Sequence, residues 1–230
     1  MAAPAPGGHR QQLLDAAQAL KLPLAPAQAD QLLAYLDLLQ RWNRVYNLTA
    51  LRDPAEMLSH HLIDCLAVLP PLQRWCAAAG LAPEAPLRLL DVGSGGGLPG
   101  VVLAALQPAW QVDCVDTVVK KVSFIRQVAA ELRLPGLHGL HARVEALLPP
   151  AGGYQLVTSR AFASLADFTA LTGHLLADGG VWMAMKGKLP DDEQAALPAS
   201  VEVFHVEQLQ VPGVDAQRCL VWMRPRAATA

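Results

Sequence analysis

The sequence predicts an α/β fold: a mostly parallel sheet with helices on both faces and an antiparallel edge. Three observations carry that expectation. An apolar run of strand length, Leu87 to Val92, ends in a glycine turn and reopens as the helical segment Val101 to Leu106. A second short run, Gln111 to Asp116, closes on an acid about 20 residues beyond the glycines, the distance at which a carboxylate reaches a ribose. Strand-like and helix-like segments then alternate, giving five βα repeats before a closing strand pair.

Residues 1–9, rich in Ala, Pro and Gly, lack a basic-then-apolar leader pattern and read as a disordered lead-in. Arg10 to Leu20 and Ala27 to Trp42 carry leucines at helical spacing, among them Leu13, Leu20, Leu32, Leu36 and Leu39, with Pro23 and Pro26 between them. Asn43 to Thr49 breaks the pattern with polar groups beside aromatics. A third helix is expected from about Pro54 to Leu69, ended by Pro70-Pro71. The chain therefore divides into a helical extension at 10–84, a sheet domain at 85–226 and a tail at 227–230.

The first strand opens the sheet domain with Asp91-Val-Gly-Ser-Gly-Gly-Gly-Leu-Pro-Gly100. Gly95-x-Gly97-x-x-Gly100 alone would suit a dinucleotide. Asp91, two residues ahead of Gly93, shifts the balance, because a carboxylate there disfavours a pyrophosphate and can accept from an ammonium group. S-adenosylmethionine has an ammonium and a sulfonium and no phosphate, so the turn reads as a methyl-donor site ahead of a dinucleotide site. Asp116 fits either ligand, and also fits a helix cap before Val118.

Past Asp116, a helix is expected over Val119 to Leu134 with Lys120, Lys121 and Arg126 on its polar side. Strands follow at His138 to Val144, Gln155 to Ser159 and Gly180 to Lys186, with a helix at Leu165 to Leu176. Val201 to Val211 and Arg218 to Met223 complete the pattern. Ligands of such sheets sit beyond the carboxyl ends of the strands, which selects Asp91 to Gly97, Asp116, Val144-Glu145, Ser159-Arg160 and Lys186.

Composition sets the bounds. A 53% apolar content over 230 residues supports a sizeable core and excludes global disorder. No apolar run approaches the ~20 residues of a membrane span. The four cysteines have no Cys-x-x-Cys spacing and read as buried thiols of a reducing cytoplasm, with neither metal nor disulfide implied. A net charge of −2 argues against a sequence-blind nucleic-acid coat while leaving room for a local basic patch.

Further motifs make a resemblance specific: Trp42-Asn43-x-x-Tyr46-Asn47-Leu48-Thr49, His61-x-x-Asp64, Lys120-Lys121-x-x-Phe124, Arg143-Val-Glu145, Ser159-Arg-Ala161 and Lys186-Gly187. With the glycine turn, they make the sequence resemble the bacterial 16S rRNA guanine-N7 methyltransferases, also known as glucose-inhibited division protein B. Leu98 stands where Phe is frequent in that family, and Cys65 where Ser is common. The resemblance implies a seven-stranded Rossmann-like methyltransferase that methylates N7 of one guanine in the decoding-region loop of 16S rRNA. It implies a cofactor site lined by Gly93, Leu98, Val144, Glu145 and Arg160, beside the Asp91, Gly95, Gly97 and Asp116 read from the turn itself.

Guanine N7 already exposes a lone pair, so no general base is expected, only positioning, assigned to Asn47, Arg143 and Lys186. Neither an Asn-Pro-Pro-Tyr for exocyclic amines nor a Pro-Cys nucleophile is present. RNA contact is assigned to Arg41, Arg44, His61, Lys120 and Lys121, with the donor site placed wholly after Leu87. The expected partner is 16S rRNA or the precursor small subunit, met by a cytoplasmic monomer that avoids membranes. Blander readings stand beside these. Asn43 and Asn47 also suit a helix end, His61 and Asp64 a helix-surface pair, and Trp42 and Tyr46 the core. Two other functions also remain, a non-catalytic S-adenosylmethionine-binding assembly module and an NAD-dependent oxidoreductase.

Overall fold

Seven strands form one sheet in the order β3-β2-β1-β4-β5-β7-β6, seen in a computed structural model that describes residues 6–188 and 191–226. The strands are β1 (Arg88–Val92), β2 (Gln111–Asp116), β3 (Leu137–His141), β4 (Tyr154–Arg160), β5 (Leu176–Lys186), β6 (Val201–Gln208) and β7 (Cys219–Pro225). The first five run parallel, and β7 lies antiparallel to β5 with Cys219 opposite Lys186. The start of β7 therefore lies level with the carboxyl ends of the parallel strands.

Helices α1 (Pro6–Ala19) and α2 (Pro26–Tyr46) begin the extension. Residues 6–9 are helical rather than a lead-in: Pro6 suits a first turn, and the Arg10–Asp30 pair at 2.8 Å docks α1 on α2. Residues 1–5 and the tail 227–230 lie outside the described residues.

The third helix departs further from expectation. Asp53 caps α3 (Pro54–Met57), accepting from the Ala55 and Glu56 amides at 2.8 and 3.1 Å. The backbone then widens into a π-helical stretch, Leu58–Ile63, before α4 (Asp64–Leu66). Such turns re-aim side chains and are frequent at functional sites; this one carries His60 and His61. Pro70-Pro71 do not end the helical region, because they occupy the first turn of α5 (Leu69–Ala78), where a missing N–H costs no helical bond.

In the sheet domain, α6 (Gly100–Leu106), α7 (Val119–Glu131), α8 (Leu165–Thr172) and α9 (Asp191–Ala195) connect the strands. The five expected βα repeats are not all present. Between β3 and β4 the chain makes only the 3-10 turn Val144–Ala146, so Arg143 lies past the strand's end at His141. One apolar layer joins Leu36, Leu39 and Leu62 of the extension to Leu89, Val101 and Phe124; the other, on the opposite face, packs Val92, Val115 and Trp182 with Phe168 of α8. Each buried Leu or Phe contributes about 1.5–3 kcal/mol, so the extension and the sheet stabilise each other through a shared core.

Candidate active site

The glycine turn is built on a buried carboxylate. Asp91 pairs in register with Cys114 of β2, and its Oδ2 accepts from the Gly100 amide at 2.9 Å and from the Cys114 thiol at 3.9 Å. A Cβ on Gly100 would collide with Cys114 Sγ and stand 3.0 Å from Asp91 Oδ2, so only glycine lets α6 start this close. Asp91 is fully buried, and burial pushes its carboxyl up to about 7. It therefore does not meet the donor's ammonium across an open wall, as the sequence suggested, but holds the turn from beneath. Gly97 also faces inward, toward Val101, and lies on neither cavity wall described below.

Two cavities meet at Gly93, which lines both. The first, about 410 Å³, lies between β1, β2 and the 144–146 turn, and its wall includes Gly93, Asp116, Lys121, Arg143, Val144 and Glu145. Asp116 Oδ2 accepts from the Gly95 amide at 3.1 Å and lies 3.4 Å from Lys121 Nζ, while Oδ1 accepts from the Val118 amide at 2.9 Å. Asp116 is not the helix cap, a place taken by Val118 without a side-chain bond; it braces the approach to α7 and faces the cavity. Gly93 has φ +66°, and a Cβ there would come within 2.8 Å of the Phe162 ring. Arg143 Nε donates to Glu145 Oε1 at 2.7 Å. The backbone amide of Glu145 and the Arg143 guanidinium hold that carboxyl below its usual range.

The second cavity, about 480 Å³, lies on the other side of the glycine turn and joins the extension to the sheet. Asp64, almost wholly buried, is its hub: Oδ1 accepts from Arg218 Nε at 2.9 Å, and Oδ2 from Arg160 Nη1 at 3.4 Å. Arg160 Nη1 also donates to the His60 carbonyl at 3.0 Å, and its Nη2 lies 3.3 Å from His61 Nδ1. The other imidazole nitrogen of His61 lies 2.8 Å from Thr49 Oγ1. Burial, then the neighbouring Arg160, lowers the His61 pKa to about 4. His61 is consequently neutral near pH 7 and does not serve as a phosphate-binding cation, a correction to its expected role. Nor is the His61–Asp64 spacing an exposed surface pair, since both side chains are buried. Lys186 Nζ is held by Glu193 Oε2 at 2.8 Å and the Ala163 carbonyl at 3.3 Å. Leu98 completes the wall.

The remaining predicted residues lie outside these walls. Asn47 ends α2 in a left-handed conformation (φ 49°), and its Oδ1 takes the Arg52 guanidinium. Asn43 is buried and braces the following loop, donating to the Leu51 carbonyl and accepting from the Thr49 amide, both at 2.9 Å. Arg41, Arg44 and Lys120 are exposed; Arg41 lies 3.9 Å from Glu131, and Lys120 Nζ stands 5.1 Å over the Tyr46 ring. Trp42 is half-buried, packed at a tilt between the rings of Tyr46 and Phe124.

Sequence reasoning gave Thr49 no role of its own and missed Glu193 and above all Arg218. The strand-end rule looks at carboxyl ends, whereas β7 runs backwards and delivers Arg218 to the cleft from its amino end. A lone cation just ahead of the last apolar run was the available signal. A larger apolar cavity, about 540 Å³, lies at the opposite end of the sheet beside Leu87 and Trp110. Its distance from the glycine turn makes size a poor guide to the chemistry here.

The residues fit a methyl donor. Ser94 Oγ, on the wall of the 480 Å³ cavity, is a buried polar atom without a partner among the described residues, at the turn expected to receive the donor's polar end. Asp116 stands ready on the ribose side. A family model described as rRNA small subunit methyltransferase G matches residues 28–221. A Leptothrix cholodnii protein named ribosomal RNA small subunit methyltransferase G is 63% identical over 96% of this chain and 98% of its own length. One of the same name from Acidovorax sp. is 60% identical over 94% of this chain and 95% of its own. Among solved structures, an Aquifex aeolicus SAM-dependent methyltransferase has a TM-score of 0.55 at 15% identity, covering 77% of this chain and 96% of that one. TrmN from Thermus thermophilus has a TM-score of 0.53 at 20% identity, over 74% of this chain and 53% of that one. These two likenesses concern the fold.

Proposed function

Because the chain belongs to the rRNA small subunit methyltransferase G family, we propose that it methylates N7 of a guanine in the decoding-region loop of 16S rRNA. It is an S-adenosylmethionine-dependent methyltransferase of small-subunit rRNA. The dinucleotide oxidoreductase and the non-catalytic module are set aside by that membership. We place its action in the cytoplasm as a monomer; among the described residues no helix is long and apolar enough to cross a membrane.

The choice of N7 rests on one observation: the buried proton acceptors of the 480 Å³ cavity, Asp64 and His61, are already engaged. Asp64 is shared by two arginines, and neutral His61 is contacted at both nitrogens. An exocyclic amine or a hydroxyl would need a free base to lose its proton. N7 needs none. S-adenosylmethionine, when bound, supplies an electrophilic methyl on its sulfonium. Asp116 would accept from the ribose hydroxyls, the glycine turn would give the donor close backbone approach, and Val144 would cover the adenine side. Arg160 and Arg218 would hold anionic groups at the far side of the turn. Since A-form RNA hides N7 in a narrow major groove, the target guanine must be unpaired or splayed.

The test is to supply labelled donor and unmodified small subunits, then identify the methylated nucleoside. We expect 7-methylguanosine from one 16S site, with a single-turnover rate nearly flat between about pH 6.5 and 8.5. An N2- or N6-methylated product, or a tenfold rise in rate per pH unit, would refute the N7 reading.

A further inference from the structure

Among the described residues, five large apolar side chains are exposed: Val45, Tyr46, Val118, Val119 and Leu148. They are not scattered. Val45 and Tyr46 end α2, and Val118 and Val119 begin α7. The stacking of Lys120 on Tyr46 brings these two ends side by side. Val118 also lines the 410 Å³ donor cavity, and Leu148 follows the turn that closes it. Isolated exposed apolar residues need no explanation, but a cluster at the mouth of a binding cavity does. Val45 and Val119 are 69% and 55% exposed, so the shoulder is open to whatever enters the cleft.

We propose that this shoulder of Val45, Tyr46, Val118 and Val119 receives an unpaired base adjacent to the target nucleotide, replacing the stack that the target loses when it splays out. The proposal rests on the rRNA reading above. Tyr46 is held from behind by Trp42, ring centroids 5.1 Å apart, and Trp42 by Phe124 at 5.5 Å, so its ring is already ordered and loses little freedom on contact. Charge selects the occupant: Lys120 stands over the Tyr46 ring, Arg52 is bonded to Asn47 next to it in the chain, and Arg44 directly precedes Val45, on a chain whose net charge is −2. An apolar platform flanked by cations is what single-stranded nucleic acid requires, since bases need surfaces and phosphates need charge. A fully double-stranded segment would offer the shoulder no base face.

The discriminating variant is Val45→Ser with Val119→Ser, which removes apolar surface, leaves every cation in place and alters only exposed positions. Deproteinised 16S rRNA should bind about fivefold more weakly, on the order of what losing ~40 Å² of buried apolar contact costs. KM for unmodified small subunits should rise by a similar factor. Donor affinity, kcat and the salt dependence of RNA binding should not change. Lys120→Gln, in contrast, should flatten the slope of log affinity against log salt by about 0.7–0.9. Unchanged RNA affinity and KM in the valine variant overturn the proposal, as does weakened donor binding. A raised KM on particles with no change on naked rRNA also overturns it, because the shoulder would then meet a ribosomal protein. If the unaltered chain transfers no methyl to small subunits, the rRNA reading itself fails and carries this proposal with it.

Discussion

Asp64→Asn tests the joint between the extension and the sheet. The change keeps the side chain's shape and removes one negative charge from between two guanidiniums, contacted at 2.9 and 3.4 Å. Asp64 keeps only 4% of its side-chain surface, and Arg218 and Arg160 keep 24% and 23%. Removing one member of a buried ion pair costs about 3–5 kcal/mol, mostly because the partner is left charged and unpaired. Here two partners are stranded, but each retains some water, so about 3 kcal/mol is the expected loss. Urea unfolding should show it as a lower midpoint at an unchanged slope. The attribution to stranded charge needs a second arm. Arg218→Met leaves Asp64 paired with Arg160 and should cost less. The double variant should then cost at least about 1 kcal/mol less than the two single changes together, as expected for groups in direct contact. A cost below about 0.5 kcal/mol for Asp64→Asn, or strict additivity, would show that the triad stabilises nothing.

Two further outcomes follow from individual side chains. Asp116→Ala should weaken donor binding by about 1.5–3 kcal/mol, the worth of hydrogen bonds to a charged group, and calorimetry giving an unchanged Kd on a folded variant removes Asp116 from the ribose site. His61 and Asp91 should leave opposite marks on the pH dependence of stability. From about pH 4 to 6.5 unfolding takes up a proton at His61 and gives one up at Asp91, so their contributions, up to about 1.4 kcal/mol per pH unit each, nearly cancel. Relative to wild type, His61→Gln should make stability fall as pH rises through this window, and Asp91→Asn should make it rise; urea titrations showing the reverse signs would refute both burial arguments.

The sheet domain was legible because its signals are local. Glycine turn, strand-terminal acid and apolar runs each lie within a few residues, and backbone geometry ties them to strand ends. The departures arise where distant segments meet. Asp91 reads as a ligand-facing acid in sequence, since the pattern cannot show that α6 folds over it and seals it in. His61 and Asp64 admit a surface pair as one reading until the π-helical stretch and β4 bury them together. Arg218 was invisible to a rule written for parallel strands. The prolines misled in the opposite way: Pro70-Pro71 is a breaker inside a helix, yet a good first turn, and only the preceding chain path distinguishes the two.

The sequence also separated a donor site after Leu87 from helices reserved for RNA, and the geometry joins them at a point that can be tested. Tyr35 of α2 is fully buried beneath the glycine turn, and its hydroxyl donates to the Gly96 carbonyl at 2.8 Å. Burial holds the phenol well above its ordinary pKa, so it remains a donor at any working pH. Gly96 lies on the wall of the 480 Å³ cavity, and the extension therefore fixes one peptide of the glycine turn directly. Tyr35→Phe keeps the packing and removes only this bond, leaving a buried carbonyl unpaired at a cost of about 1–3 kcal/mol in stability. The turn should loosen with it, and S-adenosylmethionine affinity should fall several-fold while affinity for 16S rRNA holds. Were the two parts independent, donor affinity would be unchanged in Tyr35→Phe. That result, on a variant shown to be destabilised, would confine the extension to support of the core and return the donor site to the sheet alone.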